Sequence, residues 1–431
     1  MSDKSISKTP SFIDNFKKSD EYRKKIHDLI PGGAHTYSKG DDQFPLLSPA
    51  AIVRGKGCYV WDPDGNKYIE CLSGLASVSL GHAYEPVINR VIEELQKGNN
   101  FSRPSVLEAE MAERFLNLVG VHDMIKYAKN GSVVTTAAVK LARAFTGRKL
   151  VARPAEHPFY SYDDWFIGST DVQNGIPNEI SDMTVKFSAD DPKSLEEMFL
   201  LHPGKIACVI SEPEKMNVVT AENLKLMIDI AHKHGAVWIM DEMITGFKTA
   251  YPGSMKKFGV VPDLTTWGKG IANGFSFCAL TGKKEIMEIG GIRRKGENKL
   301  FLISTTHGGE TSSIAAGLAT MDEFEKYDVI GHNQQIGNMF IEGSKEIFKE
   351  HGLSHSIKNI QFDWHASLAY FDNEGNNSFG LRTLFHQELI KRGVLFQGIF
   401  CPNFSHEKEE VYNILNAIDE ACIVYKKGLD E

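Results

Sequence analysis

The sequence predicts an α/β fold with a mostly parallel sheet, in a chain of 431 residues. From about residue 85, short apolar segments that suit buried strands alternate with longer helical segments. Such alternation is typical of a parallel sheet covered by helices. After about residue 325 the pattern changes to helices with fewer strands, so we expect a second, smaller α+β domain there.

Composition indicates an ordinary globular protein, with 42% apolar and 24% charged residues. The net charge of -8 argues against a partner that is nucleic acid or an anionic membrane. The N-terminus lacks the features of a signal peptide, and no apolar run approaches the about 18 residues of a membrane span. Six cysteines are present without a C-x-x-C pair, so we expect buried thiols, no metal site and a cytoplasmic location.

In chain order, the first predicted element is a helix over 13–29, which Pro31 ends. Strands are predicted at 52–61 and 67–69, around the turn that follows Trp61. The remaining predicted strands cover 125–128, 150–152, 184–187, 206–210, 237–240 and 264–267. The remaining predicted helices cover 86–97, 104–118, 132–146, 220–234 and 407–427.

One predicted strand, 237–240, leads directly into two acids, Asp241 and Glu242. Open α/β sheets bind ligands at the carboxyl ends of their strands, which makes Asp241 a candidate ligand contact. An acid that caps the next turn explains this segment equally well. A Walker B strand of a nucleotide hydrolase would require G-x-x-x-x-G-K-[ST] earlier in the chain, and that motif is absent, as is a G-x-G-x-x-G after a strand.

Lys269 lies between two glycines after the predicted strand over 264–267. Most lysines are solvated surface groups, and that is the ordinary explanation of a single lysine. At the end of a buried strand, however, an ammonium group is difficult to solvate, so the amine pKa falls and the amine becomes a nucleophile. The flanking glycines would let a cofactor approach the main chain. Lys269 is therefore a candidate Schiff-base lysine.

Gly131 and Ser132 connect a predicted strand to a predicted helix. Free N–H groups and the helix dipole at such a point favour a phosphate. Ser is also a common N-cap residue, so this segment alone does not distinguish a phosphate site from an ordinary helix start.

Together, Asp241, Lys269 and the Gly131–Ser132 turn match the parts of a pyridoxal-phosphate site. In such a site an acid keeps the pyridine nitrogen protonated, and a lysine carries the cofactor as an imine and moves a proton. An aromatic ring that stacks on the cofactor would complete the site. The aromatic-rich segment 157–165 contains Phe159 as a candidate for this role.

The sequence resembles the class III (fold type I) pyridoxal-phosphate aminotransferases, and is most similar to the branch of glutamate-1-semialdehyde aminomutase. The resemblance extends from about residue 20 to 425 and rests on motifs that follow the family's order. The ordered set is specific, whereas no single member is. These motifs are Pro31-Gly-Gly33, Gly55-Lys-Gly57, Trp61-Asp-Pro-Asp-Gly-Asn66, Leu80-Gly-His82, Asn130-Gly-Ser132, Leu141-Ala-Arg-Ala-Phe-Thr-Gly147, Ser211-Glu212-Pro213, Ile239-Met-Asp241-Glu242, Gly246-Phe247-Lys248, Gly268-Lys269-Gly270, Thr305-Thr306 and Ala315-Ala-Gly-Leu318.

By this resemblance Lys269 is the Schiff-base lysine and Asp241 the partner of the pyridinium nitrogen. Gly131 and Ser132 would bind the phosphate of pyridoxal 5'-phosphate, and Phe159 would stack on its ring. The resemblance also implies a large cofactor-binding domain over residues 85–325.

Two further residues take their roles from the resemblance alone. Glu212 falls at the family's Glu-Pro acid near the substrate side of the cofactor. Thr306 falls where the family contacts the phosphate from the neighbouring subunit, which implies a homodimer with shared active sites. The remaining expected domains are residues 1–84, an N-terminal segment with part of the small domain, and residues 326–431, the C-terminal small α+β domain.

Several positions depart from the family pattern. Val133 and Val134 follow Gly-Ser where the family has an acidic residue. Lys39 stands where the aminomutase has an Arg that binds the substrate carboxylate, and Lys lacks the forked guanidinium. Arg103 stands where the aminomutase has a small residue, and the segment Pro402–His406 is shorter. These departures predict a substrate other than glutamate-1-semialdehyde.

Arg103 has two interpretations. Its guanidinium would grip an anionic substrate with two bonds, or it would form an ion pair with Glu108 or Glu110 at the start of its helix. For the whole chain we predict an aminotransferase that moves an amino group between a small-molecule amino donor and a keto or aldehyde acceptor. An intramolecular aminomutase is the alternative, and a non-catalytic cofactor-binding protein would lack Lys269 or Asp241.

Overall fold

The computed structural model describes residues Phe12–Glu214, Thr220–Arg293, Leu300–Ile360 and Phe362–Asp430. Contacts divide this chain into two compact units. The first contains the residues up to Tyr84 together with those from Gly331 onward, and the second is Glu85–Ile330. The expected domain limits at residues 84 and 325 stay predictions.

The described residues form fourteen strands and fifteen helices apart from short 3-10 turns. The strands are β1 (Arg54–Lys56), β2 (Tyr59–Trp61), β3 (Lys67–Glu70), β4 (Met124–Ala128), β5 (Leu150–Pro154), β6 (Thr184–Phe187), β7 (Ile206–Ser211), β8 (Val237–Glu242), β9 (Leu264–Trp267), β10 (Cys278–Gly282), β11 (Ile357–Ile360), β12 (Ala366–Tyr370), β13 (Val394–Leu395) and β14 (Ile399–Phe400). The helices are α1 (Lys17–Ile26), α2 (Ser73–Ala76), α3 (Glu85–Leu95), α4 (Val106–Val119), α5 (Gly131–Thr146), α6 (Asp164–Ile167), α7 (Asn178–Ser181), α8 (Pro192–Leu201), α9 (Ala221–Lys233), α10 (Ser254–Phe258), α11 (Lys284–Met287), α12 (Thr311–Lys326), α13 (Val329–Glu350), α14 (Phe379–Lys391) and α15 (Lys408–Asp430).

The second unit contains a seven-stranded sheet of order β4-β10-β9-β8-β7-β5-β6. Strands β9, β8, β7, β5 and β6 are parallel neighbours, whereas β10 is antiparallel to both β4 and β9. The expected mostly parallel α/β sheet is therefore confirmed. Strand β10 was not expected, because the five residues between Phe277 and Lys283 form too short an apolar run to be told from a loop.

The strands at the centre of this sheet are apolar because both faces are covered. All six residues of β7 and all six of β8 are buried, as continuous apolar runs in parallel sheets usually are. Helix α5 packs on the sheet through its small residues, and its buried alanines belong to the same core cluster as Ile210 and Ile239. The helix start and the strand ends are thereby fixed relative to one another.

The first unit has two small sheets and its own core. Strands β1, β2, β3 and β13 form one sheet, with β13 parallel to β3, and β11, β12 and β14 form the other. The α+β character expected after residue 325 is present. Two predictions were too long: the strand over 52–61 is the hairpin β1–β2, and the helix over 13–29 is limited to α1. Within the described chain, no helix is both long and apolar enough to span a bilayer.

Candidate active site

The segments with candidate site residues meet at one edge of the large sheet. Strands β5, β7, β8 and β9 are parallel, so their carboxyl ends lie at the same edge. Two antiparallel steps, from β9 to β10 and from β10 to β4, make β4 run in the direction of β9. The residues that follow these five strands therefore face one edge, where open α/β sheets bind ligands.

Asp241 is buried at the end of β8 and accepts two hydrogen bonds on the same oxygen. The Met243 N–H and the Thr266 hydroxyl both donate to Oδ1 at 2.9 Å. Burial, and then the Glu212 carboxylate, raise the pKa of Asp241 to about 7, while these two hydrogen bonds and the nearby Lys269 lower it. Since no bond to Oδ2 is present among the described residues, that oxygen can receive a cationic N–H group.

Lys269 follows β9 and starts a short 3-10 turn with a φ of +47°. Non-glycine residues seldom adopt this conformation, and such strain is concentrated at functional sites. The preceding Gly268 is required by close packing, since a Cβ atom there would lie 2.2 Å from Met243 Sδ and 2.8 Å from Cys278 Sγ. Lys269 is partly buried directly after the buried strand β9, and its role as Schiff-base lysine stays a prediction.

The turn between β4 and α5 has the form of an anion cradle. Asn130 caps the helix by accepting the Val133 N–H at 3.0 Å. Among the described residues, no acceptor is present for the N–H groups of Gly131 and Ser132. The Ser132 hydroxyl accepts the Tyr162 N–H at 3.1 Å, which leaves its own proton to donate. These groups suit a phosphate, and the valine after Ser132 changes none of them.

The loop after β5 is attached to the first turns of α5. Thr135 donates its hydroxyl to the main-chain oxygen of Tyr160 at 3.0 Å, and Thr136 hydrogen-bonds the carboxylate of Asp163. Phe159, the predicted stacking residue, is 53% exposed and packs edge-on against Phe166 with 5.7 Å between ring centroids. An exposed aromatic ring beside the phosphate cradle is available for a planar ligand.

Glu212 and Thr306 occupy different surroundings. Glu212 is buried directly after β7, and its N–H donates to the hydroxyl of Tyr160 at 3.2 Å. Its carboxylate is close enough to Asp241 to raise the pKa of that residue. Thr306 is exposed in the turn before α12. Its predicted contact with a neighbouring subunit is therefore not obstructed by its own chain.

Arg103 is exposed before α4, and Glu108 has a different use from the predicted ion pair. The Glu108 carboxylate accepts the Ser105 N–H at 3.2 Å and completes a capping box at the start of α4. In the part of the chain that the structure describes, Arg103 forms no ion pair with Glu108 or Glu110. The ion-pair interpretation is therefore wrong here, and substrate binding by Arg103 stays a prediction.

Lys39 belongs to the first unit, where it lines a cavity of about 390 Å³. Besides Lys39, the cavity has polar groups at one side, where His82 Nε2 lies 2.5 Å from a Glu70 oxygen. The turn α2, in which all four residues have positive φ, also contributes to the lining. The volume suits a small molecule. That Lys39 binds a substrate carboxylate stays a prediction.

Sequence reasoning missed three residues that shape the sheet edge. Thr266 hydrogen-bonds Asp241, Met243 packs beside both Gly131 and Gly268, and Tyr160 contacts Glu212. The sequence contained a pattern that could have identified Thr266, because a threonine at the end of a buried apolar strand needs a polar partner. No such pattern marks Met243 and Tyr160, since only the tertiary arrangement brings their partners together.

The profile of the family described as aminotransferase class-III matches residues 37–421. A glutamate-1-semialdehyde 2,1-aminomutase from Thermus thermophilus is 30% identical, over 94% of this chain and 99% of the relative. The protein of the same name from Sulfurihydrogenibium azorense is 31% identical, over 80% of this chain and 82% of the relative.

Solved structures share the fold along nearly the whole chain. The Sphingopyxis FumI protein in its pyridoxal-phosphate form superimposes with a TM-score of 0.87 at 22% identity, over 96% of this chain and 97% of that one. A glutamate-1-semialdehyde aminomutase from Pseudomonas aeruginosa superimposes with a TM-score of 0.81 at 18% identity, over 95% and 94%. The expected fold type I architecture is therefore confirmed.

Proposed function

The chain belongs to the class III aminotransferase family, and from this premise we propose that Asp241, Lys269 and the Gly131–Ser132 cradle form its catalytic site. It is a pyridoxal-phosphate-dependent enzyme with the fold of that family. The proposed reaction transfers an amino group from a small-molecule donor to a separate keto or aldehyde acceptor. The observation that carries the assignment is Asp241, whose two hydrogen bonds end on Oδ1 at the strand edge beside Lys269.

Each residue has a role that its surroundings support. Gly131 and Ser132 would hold the phosphate with N–H groups and a hydroxyl. Asp241 Oδ2 would pair with the ring N–H, because a buried carboxylate is stabilised by an adjacent positive charge. Lys269 would supply the amine that attaches the cofactor and would then carry a proton to and from the substrate carbon. When bound, the cofactor supplies the electron sink for breaking the substrate C–H bond.

Glu212 and Phe159 would shape the two sides of this site. The buried Glu212 carboxylate lies next to Asp241 and keeps that side of the site negative. The exposed ring of Phe159 would cover one face of a flat ligand and exclude water from it. Both roles help to orient a substrate so that the reacting bond stands across the plane of the ring.

An intramolecular aminomutase is the second candidate, because the two relatives at about 30% identity carry that name. An aminomutase would return the nitrogen to a neighbouring carbon of the same molecule. Transfer between separate molecules is favoured by Lys39, since it replaces the Arg that the aminomutase uses for its substrate carboxylate.

We further propose a cytoplasmic homodimer with shared active sites. All six cysteines are free and buried, as in proteins of reducing compartments. In the second unit, large apolar side chains are exposed at Phe101, Val106, Phe301 and Ile292. Such exposure suits an interface, and Thr306 in the same unit would reach the partner's cofactor. Sedimentation of the purified protein tests the dimer.

Two experiments test the catalytic assignment. Borohydride treatment of the loaded enzyme should fix the cofactor to Lys269, and peptide mapping that finds it on another lysine would refute this role. For the reaction, the loaded enzyme is mixed with an amino donor and no acceptor. A transferase should release one keto product for each active site and then stop, whereas a mutase should turn over without releasing a keto product.

A further inference from the structure

Tyr160 connects three segments of the sheet edge. Its ring is 2% exposed, and its main-chain oxygen accepts the Thr135 hydroxyl from α5 at 3.0 Å. Its hydroxyl oxygen accepts the Glu212 N–H at 3.2 Å and lies 2.5 Å from His157 Nδ1. Tyr160 thus connects the loop after β5 to α5 through its main-chain oxygen and to the end of β7 through its side chain. None of the roles assigned above uses it.

The direction of these hydrogen bonds follows from the chemistry of the phenol. Burial, and then the nearby Glu212 and Asp241 carboxylates, raise the pKa of Tyr160 well above its ordinary value, so the hydroxyl keeps its proton. An N–H group can only donate, so the Tyr160 oxygen accepts from Glu212. Its single proton then points to His157 Nδ1.

Glu212 and Asp241 are neighbours at the ends of adjacent strands, and the main chain at Glu212 is bonded to Tyr160. Strands β7 and β8 are paired in parallel with Ser211 opposite Met240, so Glu212 and Asp241 follow side by side. Both carboxylates are buried, and like charges at this spacing repel. The bond from the Glu212 N–H to the Tyr160 hydroxyl fixes the main chain at this point.

We propose that Tyr160 is a positioning residue that holds Glu212 beside Asp241 and thereby sets the pH range over which the site accepts a protonated pyridine ring. The inference rests on the proposed roles of Asp241 and the cradle. The charged and titratable groups that face Asp241 are Glu212 after β7, Lys269 after β9, Tyr160 in the loop after β5 and Cys278 on β10. Of these, Glu212 is the one that Tyr160 contacts directly.

The test is the affinity of the cofactor-free protein for pyridoxal phosphate, measured by absorbance titration at half-unit steps between about pH 5.5 and 8.5. An ionised Asp241 favours the ring N–H, so affinity should fall as Asp241 takes up a proton. Glu212→Gln removes a neighbouring negative charge and should lower the midpoint by about one pH unit, the small end of the effect of a close charge. Tyr160→Phe should also lower the midpoint, but by a smaller amount, because Glu212 loses the bond to the Tyr160 hydroxyl and can then move away from Asp241.

A double variant separates the proposal from a structural role. With Tyr160→Phe added to Glu212→Gln, the midpoint should stay where Glu212→Gln alone places it, since Tyr160 acts through the Glu212 charge. The matched control is Tyr127→Phe, which removes a hydroxyl that donates to the main-chain oxygen of Glu108 at 2.7 Å in the same unit. Its midpoint should equal that of the wild type. Titration of the cofactor itself is common to all variants and cancels in these differences.

Three results would overturn the inference. Tyr160→Phe weakens binding equally at every pH with no shift of the midpoint, or the double variant shifts beyond Glu212→Gln alone, or Glu212→Gln leaves the midpoint unmoved. If Tyr160→Phe does not fold, Glu212→Gln still decides, because an unmoved midpoint in that variant overturns the inference. A wild-type protein that binds no pyridoxal phosphate would instead contradict the proposed function.

Discussion

Strand β8 ends in two buried acids, Asp241 and Glu242, whose hydrogen bonds differ. Glu242 receives the Thr245 hydroxyl, the Ser254 N–H at 3.0 Å and the Met255 N–H at 2.6 Å, so both of its oxygens are bonded by the segment that follows the strand. Asp241 has its bonds on one oxygen only. Burial raises the pKa of each carboxyl to about 7.

A buried acid that holds a turn differs from a buried acid with room for a ligand in its hydrogen bonds. Burial and a raised pKa are the same for Asp241 and Glu242, so neither property separates them. The separating property is whether the protein itself supplies donors to every carboxylate oxygen. Glu242 is the turn-capping acid that the sequence offered as an alternative for Asp241, and the structure assigns the two uses to adjacent residues.

The largest effect is expected for a substitution of Asp241, and it is an effect on turnover. Asp241→Asn keeps the shape of the side chain and removes the charge, so turnover should fall by about two to three orders of magnitude, or about 3–4 kcal/mol of barrier lowering. The variant should fold and should still bind the cofactor, but more weakly than the wild type. Steady-state rates together with the cofactor absorbance check this, and a rate near that of the wild type would make Asp241 a cap like its neighbour.

A substitution of Glu242 is expected to lower the stability of the fold. Glu242→Gln replaces an acceptor oxygen by an NH2 group that faces N–H donors, so the free energy of unfolding should fall by about 2–3 kcal/mol. Turnover per folded molecule should fall far less than for Asp241→Asn. Urea denaturation measures the loss, with exposed Glu409→Gln as a control expected within about 0.5 kcal/mol of the wild type. If Glu242→Gln is as stable as the wild type, Glu242 does not stabilise the fold.

The free energy of unfolding of the cofactor-free protein should depend on pH through Asp241. Its pKa when folded is about 7 against an ordinary value of 3.8, so the folded chain binds the proton more tightly. The resulting stability is fully present below about pH 4 and is lost as the pH rises through about 7. From pH 5 to 8, the wild type should therefore lose at least about 1 kcal/mol of unfolding free energy relative to Asp241→Asn.

Denaturant titrations of both proteins at pH 5, 6, 7 and 8 give this difference. Added pyridoxal phosphate should reduce it at high pH, because the ring N–H then balances the Asp241 charge. Parallel curves for the two proteins without cofactor would mean that Asp241 is not held in an unfavourable charged state.

The smallest effect is expected for a substitution of Arg103. Glu108 accepts a hydrogen bond at the start of its own helix, as Glu242 does in its own turn, and contact of Arg103 with an anionic substrate stays a prediction. Arg103→Lys should raise the KM for anionic donors by about three- to tenfold, because Lys lacks the bidentate fork. Cofactor absorbance and unfolding free energy should not change. Equal KM changes for charged and neutral donors would contradict the assignment.

The order of the elements and the segments that hold the candidate site residues could be predicted from the sequence. Apolar runs that end in Asp241, in Gly131–Ser132 and in Lys269 are local patterns, because each depends on residues within one strand and its following turn. The rule that parallel strands present their carboxyl ends at one edge then predicts that these residues meet. The resemblance added Phe159, Glu212 and Thr306 by position.

Contacts between residues far apart in the chain could not be predicted from the sequence. The insertion of β10 between β4 and β9, the two bonds on Asp241 Oδ1 and the contact of Tyr160 with Glu212 all depend on strand order and register. The same reason explains why the sequence alone left open whether Arg103 binds an anionic substrate or pairs with Glu108 or Glu110. Local propensity and periodicity act within a few residues, whereas pairing across a sheet is selected by the packing of the complete core.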